Sequence, residues 1–180
     1  LMKIANDFRL LSSGPATGLH EIELPPVQPG SSIMPGKVNP VIPEAVGMVC
    51  AQVIGNDLAI TLAGQSGTLE LNTMMPLIAY NLLQSIEIKA RAVQHLADKC
   101  VTGIAVNRKR CLELAEKSYA LATAIAPSIG YDRAAKIVKR ALEENKTIRE
   151  VMTEEGFPRE EVNRILDLER MTKGGRLTQA

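Results

Sequence analysis

Apolar residues near the start of the chain recur at the spacing of one helical face. The residues on that face are Leu1, Ile4, Ala5, Phe8 and Leu11. The pattern predicts a helix over residues 1–12 that ends at the Ser-Ser-Gly-Pro breaker beginning at Ser12. No capping residue precedes this helix, so we expect the chain to be the C-terminal portion of a longer protein.

Two long segments follow in which nearly every helical face is apolar. Pro43 and Glu44 suit a first helical turn, so the second helix is predicted from Pro43 to about Ala63. The third helix is predicted from about Leu69 to Lys99, and Pro76 either kinks it or marks its true start.

Charged residues are rare in these two helices. Between Glu44 and Glu87 only Asp57 and Glu70 are charged, whereas a surface helix needs only one apolar stripe. We therefore expect other subunits or further segments to cover these helices in a long bundle. We interpret Asp57 as a buried charge with a structural, hydrogen-bonded role.

The charge pattern changes after residue 102. Residues 1–102 carry 14 charged side chains and residues 103–180 carry 27. The later segment predicts short amphipathic helices over 107–125, 131–144, 147–155 and 158–167. We therefore predict two domains: residues 1–102 as part of a central helical bundle, and residues 103–180 as a small α-helical domain.

Composition supports an all-α fold, a bundle segment plus the small helical domain. Aromatic residues make up 3% of the chain and tryptophan is absent, so strand-favouring residues are scarce.

A net charge of +1 gives no electrostatic reason to expect nucleic acid. Polar residues interrupt the apolar segment 45–63, which favours a soluble helix over a membrane span. Three widely spaced cysteines predict reduced thiols in a cytoplasmic protein, without a metal or another cofactor.

The stretch PGSSIMPGKVNP, residues 29–40, is rich in proline and glycine and therefore predicts a shaped loop. It differs from a phosphate-binding P-loop, because five residues separate Gly30 and Gly36 and because Val38 follows Lys37. Its lysine, its hydroxyls and the start of the next helix would suit a carboxylate, or a substrate that gains negative charge. A structural turn with an exposed lysine is the alternative.

GSSIMPGKVNP resembles the signature G-S-S-x-M-P-x-K-x-N of the fumarase/aspartase superfamily. NDFRLLSSGP before it, and QVIGND, LELN and IGYDRAAKI after it, also resemble that family. The resemblance implies a homotetramer with a central helical bundle. It also implies elimination of an amine or of water from a succinyl-type dicarboxylate, which releases fumarate.

The resemblance also implies roles for particular residues. Ser31 resembles the catalytic base, and Glu44 resembles a carboxylate that pairs with an active-site histidine. The residues that resemble substrate-binding positions are Ser32, Lys37, Val38 and Asn39. A serine hydroxyl is a poor base unless its alkoxide is stabilised, so we expect the loop 29–38 to be mobile without ligand and to close over substrate.

Active sites of this family are assembled from three subunits, so the resemblance implies that this chain alone is inactive.

Neither of the two histidines lies in the signature. His95, late on the third predicted helix, is expected to be packed or solvated. His20, in the long loop, is left open between a structural and a functional role.

The segments NPVIPE, LSSGP and ERMT resemble aspartate ammonia-lyases more than fumarases. Ala16, where both usually carry arginine, and GQSGT depart from the expected pattern. We favour elimination of ammonia from L-aspartate, with fumarate hydratase activity or a non-catalytic helical oligomerisation module as the alternatives.

Overall fold

The structure, a computed structural model, describes residues 1–28, 30 and 33–173. It divides into two compact units, Leu1–Asn107 and Arg108–Ala180. Helices dominate both units, which confirms the all-α prediction. Ser31 and Ser32, the predicted base and one predicted substrate-binding residue, lie outside the described residues.

The first unit is built on three helices and a short two-stranded ribbon. Its helices are α1 (Met2–Leu11), α2 (Val41–Gln65) and α3 (Met75–Lys99). Strand β1 (Ile22–Glu23) pairs antiparallel with β2 (Ala105–Val106), and Ile22 lies opposite Val106. The ribbon therefore joins the loop after α1 to the end of the unit. Strand β2 belongs to this unit, although the sequence analysis places its residues in the C-terminal domain.

Helix α3 begins later than Leu69, the predicted start. Its first residue is Met75, and Pro76 lies in the first turn, where the missing N–H of proline costs no helical hydrogen bond. Residues 68–71 instead form a tight turn closed by an isolated bridge between Thr68 and Leu71. The prediction that Pro76 marks the start of the helix is therefore confirmed. The alternative prediction, that Pro76 kinks the helix, is wrong.

A buried polar cluster joins α2 to α3. Asn56, only 3% exposed, accepts a hydrogen bond from Gln52 Nε2 at 2.8 Å. Its own amide donates to Gln84 Oε1 at 2.9 Å and to Ser85 Oγ at 3.0 Å. The neighbouring Asp57 is exposed, so its interpretation as a buried charge is wrong. The amide of Asn56 occupies the interior because it has partners for its donors and its acceptor, whereas a carboxylate there would carry a charge out of water.

Large apolar side chains of α2 and α3 are exposed in this chain. They include Met48, Ile54, Leu58 and Leu62 on α2, and Leu77, Tyr80, Leu82, Leu83 and Ile86 on α3. Helix α2 is also long and apolar enough to cross a membrane by length and composition, a test that core helices of soluble proteins pass as well. The core of this unit is correspondingly small and is formed around Ala5, Val46, Ala92, Leu96 and Cys100.

The second unit contains six short helices in its described part. They are α4 (Arg108–Glu116), α5 (Ala122–Ile129), α6 (Tyr131–Glu144), α7 (Ile148–Glu154), α8 (Arg159–Ile165) and α9 (Leu168–Met171). The single predicted helix over 107–125 is wrong. Ser118 Oγ accepts a hydrogen bond from the N–H of Ala120 and starts a 3-10 turn, Tyr119–Leu121, that divides the segment. The predicted helix over 131–144 is confirmed to the residue.

The second unit has the larger core. It is formed by Leu121, Ile125, Ala134, Ile137, Ala141, Ile148, Val151, Met152, Val162, Ile165 and Leu166. Thr147 and Glu150 form a capping box at the start of α7, which satisfies N–H groups that the first turn leaves unpaired. Arg149 donates two hydrogen bonds to Glu116, at 3.0 and 2.7 Å, and so joins α7 to α4.

Candidate functional site

A cleft of about 640 Å³ lies within the first unit, between the end of α1, the loop that follows it, β1 and the signature loop. Among its lining residues, those with polar or charged side chains are Arg9, Ser12, Ser13, His20, Glu23 and Lys37. Val38 and Pro40 contribute apolar surface. The structure thus brings two of the predicted site residues, Lys37 and Val38, into one concave site.

The loop after α1 is held in a tight conformation that shapes one wall of the cleft. Ser13 Oγ donates to the Leu10 carbonyl at 2.6 Å and accepts from the N–H of Leu19 at 3.1 Å. A Cβ on Gly18 would lie 2.3 Å from the Ser13 carbonyl oxygen, so only glycine fits there. The loop therefore returns to the end of α1, where the N–H of His20 donates to the Ser13 carbonyl at 2.8 Å.

The signature loop, residues 29–40, also lines the cleft, through Gly36, Lys37, Val38 and Pro40. A Cβ on Gly30 would lie 2.2 Å from the Lys37 carbonyl oxygen, so glycine is required for the two ends of the loop to approach. The N–H of Lys37 donates to the Met34 carbonyl at 3.2 Å. Within the described part of the chain, the Lys37 ammonium group has no ion-pair partner, although Lys37 lines the cleft. An anion entering the cleft would therefore meet an uncompensated positive charge.

Arg9 supplies a second cationic side chain to the cleft. It lies in the last turn of α1, a position that favours a cation beside the negative end of the helix. Its Nη1 donates to Asn6 Oδ1 at 3.3 Å, and its Nη2 lies 4.0 Å from Glu44 Oε1 on the first turn of α2. Arg9 was not among the site residues predicted from the sequence. Its position just before the SSGP breaker, within NDFRLLSSGP, was the available signal.

His20 is fixed between the cleft wall and the ribbon. Its backbone has φ +51°, a left-handed conformation that is uncommon for residues other than glycine. Nε2 lies 3.2 Å from Glu23 Oε1 and Nδ1 lies 3.5 Å from Asn107 Nδ2. Glu23 lies on β1 and Asn107 directly follows β2, so the ribbon brings both partners of the ring together.

Among the described residues, the other predicted site residues lie outside the cleft lining. Asn39 borders a separate small crevice beside Leu24 and Cys100, and its carbonyl accepts from the N–H of Val41 at 2.9 Å. Glu44 is half-buried and reaches the cleft only through Arg9. His95 is exposed on α3, so it is solvated rather than packed.

The charge of the cleft suits an anion. Its described lining residues include two cations, Arg9 and Lys37, and one carboxylate, Glu23, whose Oε1 lies 3.2 Å from His20 Nε2. Among the described residues no cluster of His, Cys, Asp and Glu could hold a metal ion. Cys50 and Cys100 are free thiols, and burial raises the pKa of the Cys100 thiol, which keeps it protonated.

Two family models match the chain, and together they cover more than half of it. One, described as Lyase, matches residues 1–55 and therefore includes α1, the cleft loops and the first part of α2. The other, described as Fumarase C C-terminus, matches residues 121–173.

Curated relatives and a solved structure are similar to nearly all of the chain. An aspartate ammonia-lyase of Pseudomonas aeruginosa is 58% identical over 155 residues, which are 86% of this chain and 33% of that protein. A class II fumarate hydratase of Xylella fastidiosa is 54% identical over 176 residues, 97% of this chain and 37% of that protein. A Brucella melitensis protein described as fumarate lyase:delta crystallin, bound to cobalt, matches with a TM-score of 0.89 and 56% identity, over 94% of this chain and 37% of that one. The chain thus spans about a third of the length of these relatives.

Proposed function

The chain belongs to the fumarase/aspartase superfamily of lyases, and we propose that the complete protein eliminates ammonia from L-aspartate, reversibly, to give fumarate. The observation that carries this proposal is the position of Lys37 in a cationic cleft, within a chain 58% identical to an aspartate ammonia-lyase. A dicarboxylate substrate matches the charge of that cleft.

The proposed chemistry begins with removal of a proton from Cβ. Ser31 Oγ takes this proton, and the electron pair of the C–H bond moves into the adjacent carboxyl group to give a dianionic aci-carboxylate. The pair then returns to form the carbon–carbon double bond as the bond from Cα to nitrogen breaks and ammonia leaves. The added negative charge of the intermediate is the state that fixed cations stabilise most.

Lys37 contributes in two ways in this proposal. Its ammonium group binds a substrate carboxylate, and its charge stabilises the Ser31 alkoxide that an effective base requires. Ser32, Val38 and Asn39 bind substrate in the same proposal. Glu44 orients a histidine contributed by another segment.

The proposal includes assembly of the complete protein into a homotetramer. The exposed apolar side chains of α2 and α3 support it, because water contact at so many large side chains is costly until another surface covers them. Active sites built from several subunits would leave residues 1–180 inactive on their own. We place the assembled enzyme in the cytoplasm, without a membrane or nucleic-acid partner.

Hydration is the second candidate function. The class II fumarate hydratase of Xylella fastidiosa matches 97% of this chain, and Ala16 departs from the pattern expected of both enzyme types. In that case the same cleft would serve elimination of water from L-malate. A helical oligomerisation module without catalytic activity is the third reading.

The test is an assay of the complete protein for fumarate, followed by its ultraviolet absorbance, from L-aspartate and from L-malate. We expect turnover of L-aspartate and a loss of about 10²- to 10⁴-fold in kcat for Ser31→Ala, the usual contribution of a general base. Ser128→Ala, an exposed serine of α5, is the matched control and retains activity. Turnover of L-malate alone would identify a hydratase, and turnover of neither would favour the module. Near-normal kcat for Ser31→Ala would contradict the role of that serine.

A further inference from the structure

The segment QVIGND in the middle of α2 contains a buried amide that neither the cleft nor the proposed chemistry uses. Within α2, which the structure describes completely, Asn56 is the one buried residue with a polar side chain, and the others are Pro43, Val46 and Ala63. We infer that Asn56 selects the face of α2 that packs against α3 and fixes the register of the two helices. This selection, more than added stability, is its role, and it does not depend on the proposed catalytic activity.

Hydrophobic packing alone leaves the orientation of α2 undetermined. A helix with one apolar stripe turns that stripe inward, whereas α2 also carries Ile54, Leu58 and Leu62 on its exposed surface. Turning α2 about its axis would therefore exchange one apolar surface for another, with little change in buried apolar area. A buried amide removes this equivalence, because it is tolerated only where its donors and its acceptor find partners.

The hydrogen bonds of Asn56 define one arrangement of the two helices. Its Nδ2 donates to Gln84 Oε1 at 2.9 Å and to Ser85 Oγ at 3.0 Å, and it lies 3.4 Å from the Asn81 carbonyl oxygen. In the described part of the chain, these are the side-chain hydrogen bonds that join α2 directly to α3. A slide of α3 by one helical turn displaces the partners by about 5.4 Å. The amide would then be buried without them, which disfavours the displaced register by about 5- to 150-fold.

The connection between the helices does not fix the register by itself. Nine residues, 66–74, join α2 to α3, and an extended chain of that length reaches about 30 Å, far more than a slide of one turn requires. Asn72 Nδ2 donates to the Ala63 carbonyl at 2.9 Å. That contact holds the connection to the end of α2 and involves no residue of α3.

The surroundings of Asn56 indicate that an apolar side chain there would cost little stability. Ser85 Oγ also donates to the Asn81 carbonyl at 2.7 Å. Gln52, whose Nε2 donates to Asn56 at 2.8 Å, is exposed, and Gln84 is only partly buried, so water can replace the amide at both. Replacement of a buried polar group by an apolar one of similar size is often neutral. The loss would be discrimination between registers, which is what a single buried asparagine provides in coiled coils.

The test measures the register in the complete protein. Spin labels are carried by noncanonical residues in place of Gln65 on α2 and Lys89 on α3, both exposed. Labelled chains are diluted with unlabelled copies, so that each distance measured by pulsed electron resonance lies within one chain. We expect one distance in the native protein. Asn56→Leu should add a second distance that differs by about 5.4 Å, one helical turn, and should raise its share relative to the first about 5- to 150-fold.

Two further variants and a stability measurement complete the design. Thr61→Leu also makes α2 more apolar, at an exposed position, and should keep the single distance. The double variant Gln84→Leu and Ser85→Ala removes the α3 partners and should also produce the second distance, so it decides if Asn56→Leu does not fold. The denaturation midpoint of Asn56→Leu should match that of the native protein.

Three results would overturn the inference: a single native distance in Asn56→Leu, a second distance in Thr61→Leu of equal share, or two distances in the native protein. A lowered midpoint with one distance would assign Asn56 to stability alone. The readout requires no turnover. A protein that converts neither L-aspartate nor L-malate, but whose register responds as expected, would refute the proposed function and leave this inference intact.

Discussion

The two units of the chain place their apolar side chains in opposite ways. In Leu1–Asn107 the large apolar residues of α2 and α3 are mostly exposed, and the buried core centres on five residues. In Arg108–Ala180 the short helices enclose a core more than twice as large, and the surface carries ion pairs such as those of Arg140 and Lys146.

This difference shows that apolar residues serve different purposes in the two units. The second unit uses its apolar residues for its own core and its charges for solubility. The first unit presents apolar residues outward and carries the cleft with Arg9 and Lys37. Its stability and its chemistry therefore depend on surfaces that other chains or segments provide, under the proposed assembly.

The largest expected effect comes from placing a charge on the exposed face of α2. Leu58 on α2 and Leu142 on α6 are exposed to nearly the same extent, 60% and 57%, so they are a matched pair. In the complete protein, Leu58→Asp should dissociate the proposed tetramer and abolish the proposed activity, because the carboxylate would be buried without a partner. Leu142→Asp should leave the assembly intact. Mass in solution, measured by sedimentation, distinguishes them, and an identical response of the two variants would contradict the comparison.

A smaller effect is expected from a cavity in the second unit. Ile137 on α6 is fully buried, and Ile137→Ala should lower the free energy of unfolding of this unit by about 2–5 kcal/mol. Leu142→Ala, on the same helix but exposed, should change it by less than about 0.5 kcal/mol. Hydrogen exchange of the α6 amides in the complete protein measures both. Equal protection of α6 in the two variants would mean that the core of this unit does not determine its stability.

The smallest effect concerns the surface charges of the second unit. Hydrogen bonds from Arg140 and Lys146 lower the pKa of Glu144 from its usual 4.5 to about 2. Because the folded pKa is depressed, the stabilisation is complete above about pH 4.5 and is lost as the pH falls through about 2. Glu144→Gln should therefore lower the denaturant midpoint of this unit slightly at pH 7, and the difference from the native protein should vanish near pH 2. A difference that persists at pH 2 would assign the effect to packing instead of charge.

Hydrophobic periodicity and helix-breaking residues predicted much of the helical fold. Helix α6 follows its predicted bounds because Gly130 precedes it and the amphipathic pattern is strong. The predictions were wrong where a local contact outweighed the pattern, as at Ser118, whose hydroxyl caps a 3-10 turn inside an apparently continuous helix. The two-residue strand β2 has too few residues for an alternating pattern, and only its pairing with β1 defines it.

The candidate site was predictable only in part. The signature identified Lys37 and Val38, which line the cleft. Arg9 and His20 join them through folding of the loop after α1, a contact that no local spacing encodes. Asn39 and Glu44 lie outside the lining although they are close to Lys37 in sequence. Asn39 borders a separate crevice, and Glu44 lies in the first turn of α2.

The β1–β2 ribbon also determines when the cleft is completed during synthesis. Ile22 pairs with Val106, and His20 contacts Asn107, so the loop wall gains these partners only after α2 and α3 have been translated. At about 5–20 residues per second, roughly 80 intervening residues impose a delay on the order of 4–16 seconds. During that interval the segment around His20 lacks its final hydrogen bonds.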